Sequence, residues 1–207
     1  MRWILIKRLI YAFLCLACYV TTATASQMSN ADIKLAQQIL NKFSAVKIQM
    51  SNFIQHGPHG EVYHGTFYLQ RPGKIRFFFK DAPLDIVSDG NSVLVSNSQL
   101  HSNSVYSLNK TPMKILLANR IDANGKFLEA IRRIDNDITL IFASGSHDGS
   151  GLYLYFDSDN HNLKKWTIVD QKGRATTLEI LNVKKNIVFA SDMFVIPYQA
   201  LAMQRRD

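Results

Sequence analysis

The chain has 207 residues with 24 basic and 16 acidic side chains, a formal charge of +8. Its two cysteines, Cys15 and Cys18, both precede residue 26, so disulfides and thiolate chemistry are excluded from everything after it. A mild basic surplus suits anionic lipid or an acidic partner surface, and it suits plain solubility equally well.

The first 25 residues predict a sorting signal. Arg2, Lys7 and Arg8 form a positive start, Leu9 to Val20 an apolar run, and Ala23-Thr24-Ala25 the small residues a signal peptidase needs, with cleavage before Ser26. The run is too short for a membrane span. A lipid-anchor signal needs a larger aliphatic residue three places before its cysteine, and Cys15 stands there ahead of Ala17-Cys18. Soluble export is therefore expected, with nucleic acid excluded as a partner. Removing the three basic residues lowers the formal charge from +8 to +5, since residues 1–25 contain no acid. What remains, residues 26–207, is about 180 residues, enough for one domain with its own core.

Ser29-Asn30-Ala31-Asp32 forms a capping box with Asp in place of Glu. Ile33, Ala36, Leu40, Phe43 and Val46 then recur at helical spacing, predicting a helix to about Lys47. From Ile48 to about Val95 the pattern is short strands broken by turns at Gly57-Pro58, Pro72-Gly73 and Asp89-Gly90. Side chains alternate along a strand, so Phe67, Leu69 and Arg71 share one face, and Ile75, Phe77 and Phe79 share one on the next. Leu84, Ile86, Val93 and Val95 are further inward candidates. A guanidinium at the end of an apolar row needs acceptors nearby, because it cannot shed its charge.

Residues 96–104 predict a polar loop, followed by a short strand near Tyr106. Thr111 as cap and Pro112 as first residue predict a helix through Ala118, with Met113, Leu116 and Leu117 as its apolar stripe. Phe127 to Ile134 fits a helix or a strand. Strands are expected at 138–143, 151–157, 163–170 and 175–184, with a last one near Phe194. The fold class is mainly β: a long antiparallel sheet forming an open or half-closed barrel, with a few helices.

Three motifs suggest chemistry and do not sustain it. His56, His59 and His64 straddle glycine turns with no cysteine or well-placed carboxylate to complete a zinc site. Ser146-His147-Asp148 are adjacent, and adjacent residues cannot form a nucleophile, base and orienter relay. Asp157-x-Asp159 opens like a calcium loop, yet Asn162 and Ile168 stand where the glycine and closing glutamate belong. There is no phosphate loop or nucleotide fingerprint, so a non-enzyme without cofactor is expected.

The order Phe53-Ile-Gln55, Gly65-x-Phe67-x-Leu69-x-Arg71-Pro72, an aromatic strand, Pro83, Val87-Ser-Asp-Gly90, Thr111-Pro112 and Asp192-Met-Phe-Val-Ile-Pro197 resembles the LolA-type outer-membrane lipoprotein carriers. The resemblance covers nearly all of residues 26–207 and implies a single lipoprotein-carrier domain. Its fold would be a half-open antiparallel barrel of about eleven strands with a helical lid. It implies an acyl-chain cavity built from Phe53, Phe67, Leu69, Ile75, Phe77, Phe79, Leu84, Ile86, Val93 and Val95. Met113, Leu116 and Leu117 would lie in the lid helix, and Arg71 would be the latch that bonds lid carbonyls when the cavity is empty. The implied protein is a periplasmic monomer of a Gram-negative bacterium. It takes lipoproteins from an inner-membrane ABC transporter to an outer-membrane acceptor.

Two departures stand out. Val93-Leu94-Val95 replaces the aromatic residue usual after the Asp-Gly turn, and Ser96-Asn97 replaces the usual Tyr-Asp or Tyr-Asn, which puts cargo range and partner contacts in question. The alternative within the fold is an RseB-like lipid-sensing regulator, which usually carries a second domain. A stationary acceptor of the LolB kind would need the lipid-anchor signal that is missing.

Overall fold

A computed structural model describes residues 28–125, 127–143 and 150–204. The expected sorting signal and the Ser146-His147-Asp148 run lie outside the described residues.

Helix α1 spans Asn30–Ala45. The Ser29 hydroxyl accepts the Asp32 N–H at 3.1 Å and donates to the Asp32 carboxylate at 2.7 Å, so the capping box closes through the hydroxyl. Arg133 adds an ion pair to Asp32 at 2.7 Å. The Ser29 hydrogen bond first, and Arg133 second, hold the Asp32 carboxyl below its ordinary value. The helix stops two residues short of Lys47, because β-branched Val46 turns extended (φ −71°, ψ 102°) and leads directly into the first strand.

Eleven strands follow. They are β1 (Ile48–His56), β2 (Val62–Gln70), β3 (Lys74–Phe79), β4 (Leu84–Asp89), β5 (Ser92–Asn97), β6 (Ser102–Ser107), β7 (Leu128–Ile134), β8 (Asp137–Ala143), β9 (Gly151–Asp157), β10 (Leu163–Val169) and β11 (Ala175–Lys185). They form one antiparallel sheet in the order β6-β5-β4-β3-β2-β1-β11-β10-β9-β8-β7. Two meanders, β1–β6 and β7–β11, are thus stitched by β1 against β11, and β6 and β7 are left as the two edges of an open, half-closed sheet. The register sets Phe67 opposite Phe77 and Leu69 opposite Ile75.

Alternation puts large apolar side chains on the inner face, and both helices of the lid pack there. Ala36, Ile39 and Leu40 of α1 share one buried cluster with Phe53, Phe67, Phe77, Phe156 and Trp166 of the strands. Gly65 on β2 permits this packing: a Cβ there would meet the Phe78 carbonyl oxygen at 2.2 Å and the Phe53 ring at 2.5 Å. Gly73 makes the β2–β3 turn at φ +76°, a conformation glycine adopts without strain.

Three expectations are corrected and one open alternative is resolved. Residues 96–104 are not a loop throughout: β5 runs to Asn97 and β6 starts at Ser102, a polar edge strand whose serines and asparagine hide its period. Phe127 to Ile134 resolves as a strand, β7, beginning at Leu128. The lid helix is a single turn, α2 (Met113–Leu116), preceded by a 3-10 turn at Leu108–Lys110. Thr111 does not cap it, since its hydroxyl donates backwards to the Leu108 carbonyl at 2.9 Å. The segment around Phe194 is a turn and not a strand, because Phe194 and Ile196 are held by the outer face of the sheet, against Val87 and Leu94. Phe189 packs edge-on against Tyr68 and Phe194 along this strap. Arg76 fixes it, pairing with Asp85 at 2.7 Å and donating to the Met193 carbonyl at 3.2 Å. A last helix, α3 (Tyr198–Gln204), ends the strap, and the Tyr198 hydroxyl donates to Asp89 at 2.7 Å.

Candidate functional site: a buried arginine between two helix ends

The centre of the site is the end of β2, where the chain turns at Pro72-Gly73. Its backbone is anchored by the Arg71 N–H donating to the Lys47 carbonyl at 2.8 Å. The Arg71 side chain is buried, with 6% of its surface exposed, in spite of its charge. Its Nε donates to the Val46 carbonyl at 3.0 Å. One terminal nitrogen donates to the carbonyls of Leu116 and, at 3.1 Å, Ala118. The guanidinium also lies 4.3 Å from the centre of the Phe43 ring.

One fork therefore ties three pieces of chain: the frayed end of α1, the end of α2 and the end of β2. The acceptors are the carbonyls that a helix leaves unbonded at its C-terminus, where partial negative charge collects. Burial pulls the Arg71 guanidinium down to about 10, still far above neutrality, so it stays a cation.

The expected cavity residues fall into three groups. Phe53, Phe67, Leu69, Ile75, Phe77 and Val93 are buried on the inner face, and Phe79, Ile86 and Val95 are half-buried against the same cluster. Phe53 meets Phe77 and Phe79 edge to face, and Phe67 meets Trp166 the same way. Leu84, at the start of β4, is half-buried and belongs to neither hydrophobic cluster. In the lid, Leu116 and Leu117 are buried and Met113 half-buried in the inner cluster. Helices α1 and α2 together cover the inner face.

Two clefts flank α2. One of about 480 Å³ opens beside Arg71 and is lined by Phe43, Phe67, Leu69, Trp166, Ile180 and Val183. The other, about 460 Å³, lies against β8 and β9 and takes Ile115 where the first takes Leu116.

Sequence reasoning missed Gln37. Its side chain donates to the Ile121 carbonyl at 3.0 Å and accepts the Ala123 N–H at 2.8 Å, clamping the segment after α2 to α1. On the helix surface it also donates to Asn41 at 2.8 Å, an ordinary polar pair that gives no local signal of the clamp. The histidines form no cluster: His64 pairs with Asp81 at 2.7 Å and His56 with Glu179 at 3.4 Å. No group of three or more ligating side chains suited to a metal occurs among the described residues. Nor is any helix among them long and apolar enough to cross a membrane.

The fold and site define an open eleven-stranded antiparallel sheet, not closed into a barrel, whose apolar inner face is covered by helices that one buried arginine ties to the end of β2. The chain belongs to the outer membrane lipoprotein carrier protein LolA family, which matches residues 41–197. No curated protein matches it.

Several solved structures are similar. A LolA superfamily protein from Nitrosomonas europaea is 13% identical, with 79% of this chain and 98% of that one covered and a TM-score of 0.43. A lipoprotein-sorting domain from Vibrio parahaemolyticus is 9% identical, covering 80% and 97%, with a TM-score of 0.49. The Pseudomonas aeruginosa MucA/MucB complex is 12% identical, covering 78% and 60%, with a TM-score of 0.44.

Proposed function

We propose that this protein is a periplasmic carrier that takes up the acyl chains of lipoproteins leaving the inner membrane and hands them on at the outer membrane. Membership of the lipoprotein-carrier family supports the cargo class. The observation that carries the mechanism is the Arg71 fork on Val46, Leu116 and Ala118 over an apolar face.

Each buried methylene is worth about 0.8 kcal/mol, so one long acyl chain fully enclosed would approach about 10 kcal/mol. A site holding that much would release nothing. A closed empty state that competes with cargo lowers apparent affinity in proportion to how rarely the open state occurs. Closing the Arg71 latch behind departing cargo thus favours release, and an acceptor needs only a somewhat better cavity. Loading extracts lipid from a bilayer and needs a driven partner, which fits an inner-membrane ABC transporter. No step calls for a catalytic group or cofactor.

The test is in-cell photocrosslinking from positions 67 and 69 with lipoproteins labelled on their acyl chains. Crosslinks to acylated lipoproteins are expected. Crosslinks to free lipid alone, together with a stable complex with one membrane protein, would replace the carrier reading with the lipid-sensing regulator.

A further inference from the structure

The two edges of the sheet are built differently. At one, β7 carries Glu129, Arg132 and Arg133, and a bulge interrupts its pairing between Leu128 and Ala130. Charges and bulges are devices that keep an edge from adding another strand. At the other edge, β6 has neither. No Asp, Glu, Lys, Arg or Pro occurs between Asp89 and Lys110. The six residues of β6 run beside β5 in unbroken register, and all are exposed except Val105, which is half-buried.

The register also fixes which backbone groups are on offer. The Leu108 N–H donates to the Asn91 carbonyl at 2.9 Å, and hydrogen-bonded pairs alternate along an antiparallel ladder. Ser102, Ser104 and Tyr106 therefore turn their backbone groups toward β5. Val105 and Ser107 turn theirs outward, where the sheet has no further strand among the described residues.

A second copy of β6, running antiparallel, fits this edge in a symmetric register centred on Val105. The Val105 N–H of each copy then reaches the Val105 carbonyl of the other, and each Ser107 N–H reaches an Asn103 carbonyl. The side chains match as well. Tyr106, with 54% of its surface exposed, falls opposite Ser104 of the second copy, a large group over a small one. The two valines meet on the outer face, and no charge opposes a like charge. The strand is thus its own complement.

We propose that β6 is a self-pairing edge, through which two copies of this chain join as an isologous dimer with one continuous sheet. The dimer replaces the monomer that the resemblance implies. It leaves Arg71 and its acceptors untouched, so it stands independently of the carrier reading.

The test combines sedimentation velocity with cysteine trapping on protein from the periplasmic fraction. A monomer–dimer equilibrium is expected between about 1 μM and about 1 mM, the span of weak association. Ser107 has φ −69°, so proline fits there without strain, and its N–H lies outside the β5 ladder. Ser107→Pro should keep the wild-type thermal melt and raise the dimer dissociation constant about 30-fold, through the loss of two backbone hydrogen bonds. Val105→Cys should form a disulfide-linked dimer on mild oxidation, because opposed hydrogen-bonded residues have Cα atoms about 5.5 Å apart, within disulfide reach. Ser102→Cys should not, because its two copies would lie about 20 Å apart. A monomer at every concentration, a dimer unaffected by Ser107→Pro, or equal trapping at 102 and 105 overturns the proposal. So does trapping of Val105→Cys in cells onto a different protein alone, which would assign the edge to a foreign strand. Lipoprotein release from spheroplasts by Ser107→Pro is expected to be normal, so failure of this pairing and failure of the carrier reading are separate results.

Discussion

Replacing Arg71 by leucine removes three hydrogen bonds to backbone carbonyls and the stack on Phe43. Hydrogen bonds from a charged donor contribute about 1.5–3 kcal/mol each, and a partly buried cation–π contact about 1 kcal/mol. Against this stands the cost of burying the guanidinium, several kcal/mol, which leucine avoids. The difference is a loss of about 2–3 kcal/mol from the closed state, a shift of about 30- to 150-fold toward the open one. The sign is reinforced by the carbonyls of Val46, Leu116 and Ala118, which lose a donor when closed and find water when open. Apparent affinity for acyl chains should rise with the open population.

The assay pairs hydrogen exchange with cargo transfer. The Leu117 and Ala118 amides, bonded to Met113 and Ile115 at 2.9 and 3.2 Å, should exchange faster in Arg71→Leu. Bound lipoprotein should be retained when an acceptor is offered. Arg71→Lys keeps a charge but not the planar fork, and should fall between the two. Unchanged amide exchange together with normal transfer would refute the latch.

Other outcomes follow from the same contacts. Gln37→Ala should lower stability by about 1–2 kcal/mol and speed exchange of the Ala123 amide, read by urea denaturation and hydrogen exchange. Phe194→Ala should cost about 3 kcal/mol and expose the outer face around Val87 and Leu94, seen as increased dye binding. Gly65→Ala should destabilise severely, since its Cβ collides with the Phe78 carbonyl and the Phe53 ring, and a thermal melt reads this directly. Burial pushes the Asp89 carboxyl up, but hydrogen bonds from Ser92, Tyr198 and Asn91 outweigh it and leave its pKa lowered. With a depressed folded value, the strap contact it makes is present above the ordinary pKa of 3.8 and is lost as pH falls below it. Tyr198→Phe should abolish that acid dependence of strap mobility, measured as exchange across residues 189–201.

Much of this was legible because the signals are local. The alternation of Phe67, Leu69 and Arg71, and of Ile75, Phe77 and Phe79, settles which residues face inward, and Pro72-Gly73 settles the turn between them. Ser29 and Asp32 mark the start of α1 to the residue. What escaped depends on long-range partners. Ser102–Ser107 has no apolar period, and it is a strand because β5 offers it a ladder. Phe194 carries strand-like neighbours, yet the outer face around Val87 and Leu94 captures it in a turn. The need of Arg71 for acceptors was predictable, but Val46 as one of them was not, because it depends on where α1 stops. Gln37 was invisible because its partners lie 84 and 86 residues away.

The central claim is that the protein takes acylated cargo out of a membrane. The direct measurement adds the protein, purified from the periplasmic fraction of cells expressing the full chain, to spheroplasts, and follows newly made triacylated lipoprotein. Lipoprotein is expected in the supernatant, in a one-to-one complex with this protein. Lipoprotein that stays in the membrane, with the added protein folded by its thermal melt, would contradict it.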